Sequence, residues 1–197
     1  MLRVTSILFC AALVAAAPIA QATTIDFSGL PNLTPVTNEY PGVVFSLEGG
    51  PDSSGPPVTW NWDGEGLGNS TSSDYPTANI LDLAFTTPAS GLSFTFDNEG
   101  NNGLTYYTAF AGATIVATGP LYTLGWPGPA DLVTVPGSGI TDLQLNNGED
   151  LASDWYFDIQ QVNFTSSTST VPEPTSLLLL GTGVIGIGLA AWRRKKT

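Results

Sequence analysis

Between Thr23 and Val171 the sequence contains no lysine, arginine or histidine. The basic residues all lie at the two ends of the chain: Arg3, Arg193, Arg194, Lys195 and Lys196. All 17 acidic residues except Glu173 lie in the central segment, which therefore carries a formal charge of −16. Binding to nucleic acid requires lysine and arginine to displace counterions from phosphate, so a segment without cations excludes that class of partner.

Cysteine is also missing from the central segment, because the single Cys10 lies near the N-terminus. Without His, Lys or Cys, the Ser-His-Asp and Cys-His catalytic mechanisms and the usual zinc sites are excluded. The enzyme chemistry left open is a pair of carboxyl groups acting as acid and base, as in glycosidases. The segment Trp60-Asn61-Trp62-Asp63-Gly64-Glu65 is the candidate for such a glycan hydrolase.

The N-terminal 22 residues have the three parts of a signal peptide. Arg3 supplies the positive charge, Ile7 to Ala17 form an apolar run, and Ala20-Gln21-Ala22 fits the small-x-small cleavage pattern. We therefore predict a signal peptide over residues 1–22, with signal peptidase cutting between Ala22 and Thr23. The alternative, an uncleaved N-terminal helix, is disfavoured by Pro18 and by the cleavage pattern.

The C-terminal end reads as a membrane anchor that follows a linker. Residues 166–170 are a Ser/Thr linker, and an apolar run from Leu177 to Trp192 precedes the basic residues 193–196. The run is slightly shorter than the ~20 residues of an ordinary membrane helix, and flanking basic side chains extend it. Because basic residues stay in the cytoplasm, the central segment is expected outside the inner membrane.

The order of Pro172-Glu173-Pro174, an apolar segment and a closing basic tail resembles the PEP-CTERM sorting signal. The resemblance covers residues 171–197 and implies recognition by an exosortase, cleavage near the Pro-Glu-Pro motif, and transfer to the cell surface or release. Bacteria with this system often produce exopolysaccharide or live in biofilms. The alternative is a plain tail anchor.

The central segment, residues 23–165, is predicted to be one acidic all-β domain. Short apolar runs rich in Val, Ile, Thr and aromatic residues alternate with Gly, Pro, Asn and Asp, which indicates an antiparallel β-sandwich or jelly roll. Strands are predicted at residues 23–27, 42–47, 57–62, 79–85, 91–96, 104–110, 112–118, 131–135, 139–145 and 155–165.

Two local features are predicted in more detail. The polar segment 97–103 is expected to form a hairpin turn between the strands at 91–96 and 104–110. In the last strand, Trp155, Phe157 and Ile159 share one face, whereas Val162 and Phe164 follow with shifted parity. A β-bulge at Gln160-Gln161 would bring both groups onto the core face and turn Asp158 away from it.

The segments Thr24-Ile25-Asp26-Phe27, Tyr40 to Ser46 and Trp155 to Val162 resemble the opening and closing strands of exported PEP-CTERM jelly-roll domains. Jelly-roll carbohydrate-binding modules often hold a structural Ca²⁺ between their first and last strands. That resemblance implies a calcium site at Asp26 and Asp158. The alternative is that both are polar groups at strand ends that contact the backbone.

Loop-borne aromatic residues provide a second candidate site. Trp60, Trp62 and Trp126 lie in or beside Gly/Pro-rich segments, where exposed rings can stack on sugars. The alternative is that they fill the core. The sequence thus predicts a non-enzymatic protein, anchored transiently in the inner membrane through residues 177–192 and then placed at the cell surface or outside the cell. It would bind or organise extracellular polysaccharide; a glycan hydrolase or a structural adhesion or coat module is the alternative.

Overall fold

Ten β-strands and no helix make up the part of the computed structural model that is described, residues 19–50, 53–60, 66–71, 80–98, 105–121, 130–148 and 157–168. The strands are β1 Ile19–Asp26, β2 Val43–Glu48, β3 Thr59–Trp60, β4 Gly66–Gly68, β5 Ile80–Asn98, β6 Tyr106–Ala111, β7 Thr114–Pro120, β8 Asp131–Thr134, β9 Ser138–Asn146 and β10 Phe157–Thr168. Eight pairs of neighbouring strands in the described residues are antiparallel, so the prediction of an all-β antiparallel fold is confirmed.

Residues Ala20–Ser167 form one compact unit. Nearly all of the predicted signal peptide and the whole predicted membrane helix lie outside the described residues. The unit extends slightly beyond the predicted domain at both ends. β1 includes Ile19 to Ala22, and β10 continues through the first three residues of the predicted linker, where Ser166 pairs with Ala89.

Strand β5 divides the fold into two layers, because its two halves have different partners. Its first half pairs with β2 and β9, and β9 continues through β6 to β7; these strands form the first layer. Its second half pairs with β8 and β10, and β10 continues to β4, β3 and β1; these form the second layer. The change of partners coincides with a register shift between Ala84 and Ala89. Pro88 lies in that interval, and proline cannot donate to a strand ladder.

Aromatic contacts join the inner faces of the layers. Phe94 of β5 lies edge-on to Tyr107 of β6, with ring centroids 6.2 Å apart, and Phe27 lies edge-on to Phe45 of β2 at 5.6 Å. Alternate residues of each strand supply this core, so β2 buries Val43, Phe45 and Leu47 and exposes the residues between them more. Each fully buried large apolar side chain contributes about 1.5–3 kcal/mol to stability. The arrangement fits the predicted β-sandwich.

The predicted bulge in the last strand is confirmed. Ile159 pairs with Phe96 and Gln161 with Thr95, so Gln160 is the extra residue. Phe157, Ile159, Val162 and Phe164 are all buried, at most 2% exposed. The bulge therefore keeps one apolar face across the whole strand.

The predicted hairpin over residues 91–110 is wrong. β6 pairs with β7 and β9, whereas the second half of β5 pairs with β8 and β10, so the two predicted partners do not form a hairpin. A polar turn sequence fixes a change of direction but not the layer that receives the next strand. The hairpin lies one strand later, between β6 and β7, where Gly112 adopts φ 60°.

Candidate functional site

The face of the first layer opposite the core carries a row of polar side chains. Strand register aligns these residues across all five strands: Ser46, Asp82, Gln144, Thr108 and Thr118. The central members are nearly withdrawn from solvent, with Asp82 6% and Thr108 8% exposed. The row therefore presents hydrogen-bonding groups in a partly dehydrated setting.

Asp82 and Asp142 form a carboxyl pair in this row. Asp142 lies opposite Ala84, diagonally across β5 and β9 from Asp82. Burial raises the pKa of Asp82 to about 7; a hydrogen bond to Asp142 and the charges of Asp142 and Glu48 act in the same direction, and a hydrogen bond from Gln144 opposes them. Two carboxyl groups can hydrogen-bond only if one is protonated, and the raised pKa makes Asp82 the partner that keeps its proton.

Each of these carboxyl groups has one oxygen atom that accepts no hydrogen bond from the described part of the chain. Among the described residues, Oδ1 of Asp82 and Oδ1 of Asp142 are buried and have no hydrogen-bond partner. A buried acceptor without a donor is costly, which makes such an atom a natural point of attachment for a donor from outside.

A depression of about 330 Å³ lies next to the pair. It is lined by Phe110, Gly112, Ala113, Thr141, Asp142 and Gln144. Its rim is held by the Thr141 hydroxyl, which accepts from Gly112 N at 2.8 Å and donates to Phe110 O at 3.3 Å. The depression thus combines an apolar ring, an amide and a carboxyl group on a fixed backbone.

A second carboxyl pair lies in the other layer. Asp97 of β5 and Asp158 of β10 are directly opposite, 7% and 8% exposed, and Gly68 of β4 pairs with Asp158 on the other side. Neighbouring Gly66 is needed for this packing, since a Cβ there would lie 2.8 Å from the Asp158 carboxyl carbon. The outward orientation predicted for Asp158 agrees with its alternation with Phe157 and Ile159, but β4 covers it.

The predicted calcium ligands occupy different settings. Asp26 is exposed, and its Oδ1 accepts hydrogen bonds from Ser28 Oγ at 2.7 Å and Ser28 N at 2.9 Å, which lower its pKa. The hydrogen bond from Phe27 N to Gln160 O places the end of β1 two residues along β10 from buried Asp158. Among the described residues, no group of three or more acidic, histidine or cysteine side chains is arranged to hold a metal. Calcium binding stays a prediction.

Of the predicted sugar-stacking residues, the structure describes only Trp60. Its ring is 7% exposed and packs against Gly68, where a Cβ would lie 3.2 Å from Trp60 Nε1. Trp60 is therefore packed rather than offered to solvent. Trp62 and Trp126 lie outside the described residues, as does most of the predicted hydrolase segment.

Sequence reasoning missed other aromatic residues, on β6. Tyr107 faces the core, so Tyr106, Thr108 and Phe110 alternate onto the outer face, and Tyr106 is 42% exposed. At ~3.4 Å per residue, Tyr106 and Phe110 lie about 14 Å apart along the strand. The signal was present in the sequence as the aromatic alternation of Tyr106-Tyr107-Thr108-Ala109-Phe110. The carboxyl pair also left a trace, since Asp82 is the one charged residue in the apolar run Ile80-Leu81-Asp82-Leu83.

The predicted signal-peptide cleavage point lies within β1. Ala20, Gln21 and Ala22 are exposed, whereas Ile25 and Phe27, which follow the cleavage point, are 1% and 0% exposed. Removal of residues 1–22 would therefore leave the buried side chains of β1 in place.

The C-terminal segment is identified by comparison with protein families. Residues 170–195 match the PEP-CTERM protein-sorting motif, and Pro172, Glu173 and Pro174 lie inside the match. No curated protein matches the chain. In the part of the chain that the structure describes, no helix is long and apolar enough to cross a membrane; the predicted anchor, 177–192, lies outside that part.

Proposed function

We propose that this chain is a non-enzymatic surface or extracellular-matrix protein whose β-domain binds polysaccharide. The PEP-CTERM motif carries the proposal, because it indicates exosortase-dependent export to the cell surface. Signal peptidase would remove residues 1–22, residues 177–192 would hold the precursor in the inner membrane, and exosortase would act near Pro172-Glu173-Pro174.

The outer face of the first layer supports polysaccharide as the ligand. Tyr106 and Phe110 flank the polar row on β6, so apolar rings alternate there with hydrogen-bonding groups. Sugars present the same alternation, since their C–H faces stack on aromatic rings and their hydroxyl groups bond to polar side chains. The sugar-binding hypothesis therefore includes Tyr106 and Phe110 in addition to the tryptophans predicted from the sequence.

The geometry of the first carboxyl pair does not suit hydrolysis at this face, which supports a binding role here. Glycosidases place their two carboxyl groups about 5 Å apart or more, so that the scissile bond or a water fits between them. Asp82 and Asp142 hydrogen-bond to each other, which leaves no room for a substrate atom between them. A structural Ca²⁺ at Asp26 and Asp158, and a jelly-roll order of strands, remain part of the proposal.

A glycan array tests this proposal. The protein is applied with Ca²⁺ and with EDTA, and turnover of every bound glycan is assayed. We expect binding without turnover, and we expect Tyr106→Ala to weaken it. The matched control is Leu132→Ala, which removes a side chain that is 68% exposed on β8 of the other layer. Absence of binding to any glycan would reject the proposal, and turnover would replace it with the hydrolase alternative.

A further inference from the structure

The groups that line the depression beside Asp142 determine which class of ligand it can bind. Its lining offers a half-buried aromatic ring, the Gln144 side chain and a carboxyl group whose Oδ1 lacks a donor. Asp82 is outside the lining but pairs with Gln144 in the strand register and hydrogen-bonds to Asp142; it is more than nine-tenths buried and also has an unpartnered Oδ1. Unpartnered acceptors on two hydrogen-bonded neighbours, one of which lines the depression, favour a ligand that donates several hydrogen bonds.

The charges around the depression narrow the class of ligand further. Glu48 faces Asp82 from β2, and Asp142 and Gln144 face it from β9. No lysine, arginine or histidine occurs between Thr23 and Val171, so no side chain of the domain can neutralise these groups. Uronic-acid and sulfated polysaccharides are repelled. A protonated amine provides three N–H donors together with the missing positive charge.

We infer that this depression is a subsite for a protonated amino sugar, so that the polysaccharide bound by the domain is a polymer of largely deacetylated hexosamine. The inference rests on the proposed function and specifies its ligand class. The ammonium group lies at Asp142, which is hydrogen-bonded to Asp82, and Phe110 covers the apolar face of the sugar ring. A polycation also complements a domain of charge −16 over its whole surface.

Binding of the ammonium group has a proton signature. In the free protein the carboxyl pair holds a proton, because Asp82 titrates at about 7. An adjacent cation favours the ionised form, so the pair releases that proton to solvent when the ligand binds below this pH. An acetylated sugar carries no charge and displaces no proton.

Calorimetry with glucosamine oligomers and with N-acetylglucosamine oligomers of the same length tests the inference on the full chain in detergent micelles, at a pH where the amines are fully protonated. We expect the glucosamine oligomer to bind more tightly and to release protons, seen as a dependence of the heat on the buffer. Asp142→Asn should weaken it about tenfold. Asp131→Asn removes the same charge from β8 and is the control.

Equal affinity for the acetylated oligomer, or equal weakening by Asp131→Asn, would overturn the inference. The proton measurement uses the unmodified chain, so absence of proton release overturns it even if the Asp142 variant does not fold. Binding of neutral glycans without preference for amines would reject the inference and leave the proposed function standing. Failure with every glycan would reject both.

Discussion

Asp82 is an acid that the fold keeps protonated near neutral pH. Its unfolded pKa is close to 3.8, and burial together with Asp142 raises the folded value to about 7. Between these two values the folded state binds the proton and the unfolded state does not. The contribution of this proton to stability is therefore present at low pH and is lost as the pH rises towards the folded pKa.

Replacement of Asp82 by Asn should remove this pH dependence. Asparagine keeps the shape and carries no charge, so the free energy of unfolding should no longer fall as the pH rises from 3.8 to about 7. The measurement is urea denaturation of wild type and variant across this range. Asp131→Asn, which removes a carboxyl group from β8 of the other layer, is the control. A variant slope equal to that of wild type would show that Asp82 is not the responsible group.

At the scale of single residues, the properties that follow from composition were predicted better than the positions of side chains in the fold. The lack of cations followed directly from counting, and it is the reason why neither nucleic-acid binding nor histidine-based catalysis is expected. The sequence did not predict that Trp60 packs against Gly68, because the partner strand β4 has only three residues, Gly66–Gly68, two of which are glycines that read as a loop. Pairing of Asp82 with Asp142 depends on the register of β5 and β9, which no local pattern contains.

Strand β4 can lie close to β10 because Gly66 has no side chain. A Cβ on Gly66 would lie 2.9 Å from the Ile159 carbonyl oxygen, a backbone atom that cannot rotate away. The same Cβ would crowd the carboxyl group of Asp158. Glycine is therefore required at this position for close approach of β4 to β10.

Gly66→Ala should destabilise the domain by about 1–3 kcal/mol, the usual cost of overpacking. Gly29→Ala is the matched control, because a Cβ there would have nothing within 4 Å and its φ is not positive. The control should be neutral or stabilising by about 0.4–1 kcal/mol. Chemical denaturation measures both. Equal stability of the two variants would mean that β4 can move away from β10 at little cost.

At the scale of strands, side-chain alternation was a sound guide and strand partners were not. The bulge at Gln160 followed from the parity of Ile159 and Val162, because a buried face must stay on one side. Pro88 and Gly91 separated two predicted strands, whereas the structure has one strand of 19 residues, Ile80–Asn98. A proline between two sets of partners interrupts the ladder without ending the strand.

At the scale of the whole molecule, sorting was the most predictable property. The Pro-Glu-Pro motif, apolar run and basic tail are continuous in sequence and need no tertiary contact to be recognised, and the match over residues 170–195 agrees with them. The proposed ligand of the domain was less predictable, because the proposal depends on residues from β2, β5, β6 and β9 that meet only in the folded layer.

Replacement of Pro172, Glu173 and Pro174 by Ala should trap the precursor in the inner membrane. Wild-type protein from the cell surface should lack the residues beyond the motif, whereas the variant should keep them through Thr197. Intact-mass analysis of the membrane fraction and the surface fraction, for wild type and for the variant, measures which residues are retained. Ser169→Ala, just outside the matched segment, is the control and should be processed normally. Wild-type surface protein that retains Trp192 to Thr197 would indicate a tail anchor.

The position of β10 in the second layer links folding to the passage of the chain through the membrane. β10 lies between β5 on one side and β1 and β4 on the other, yet it is the last of the described strands in the sequence. In a chain translocated from its N-terminus this central strand emerges last. β1 and β4 therefore cannot complete their pairing with β10 until the strand has emerged as far as Thr168. Pro172 follows only four residues later. Completion of the domain and arrival of the sorting motif at the outer face are therefore nearly simultaneous events.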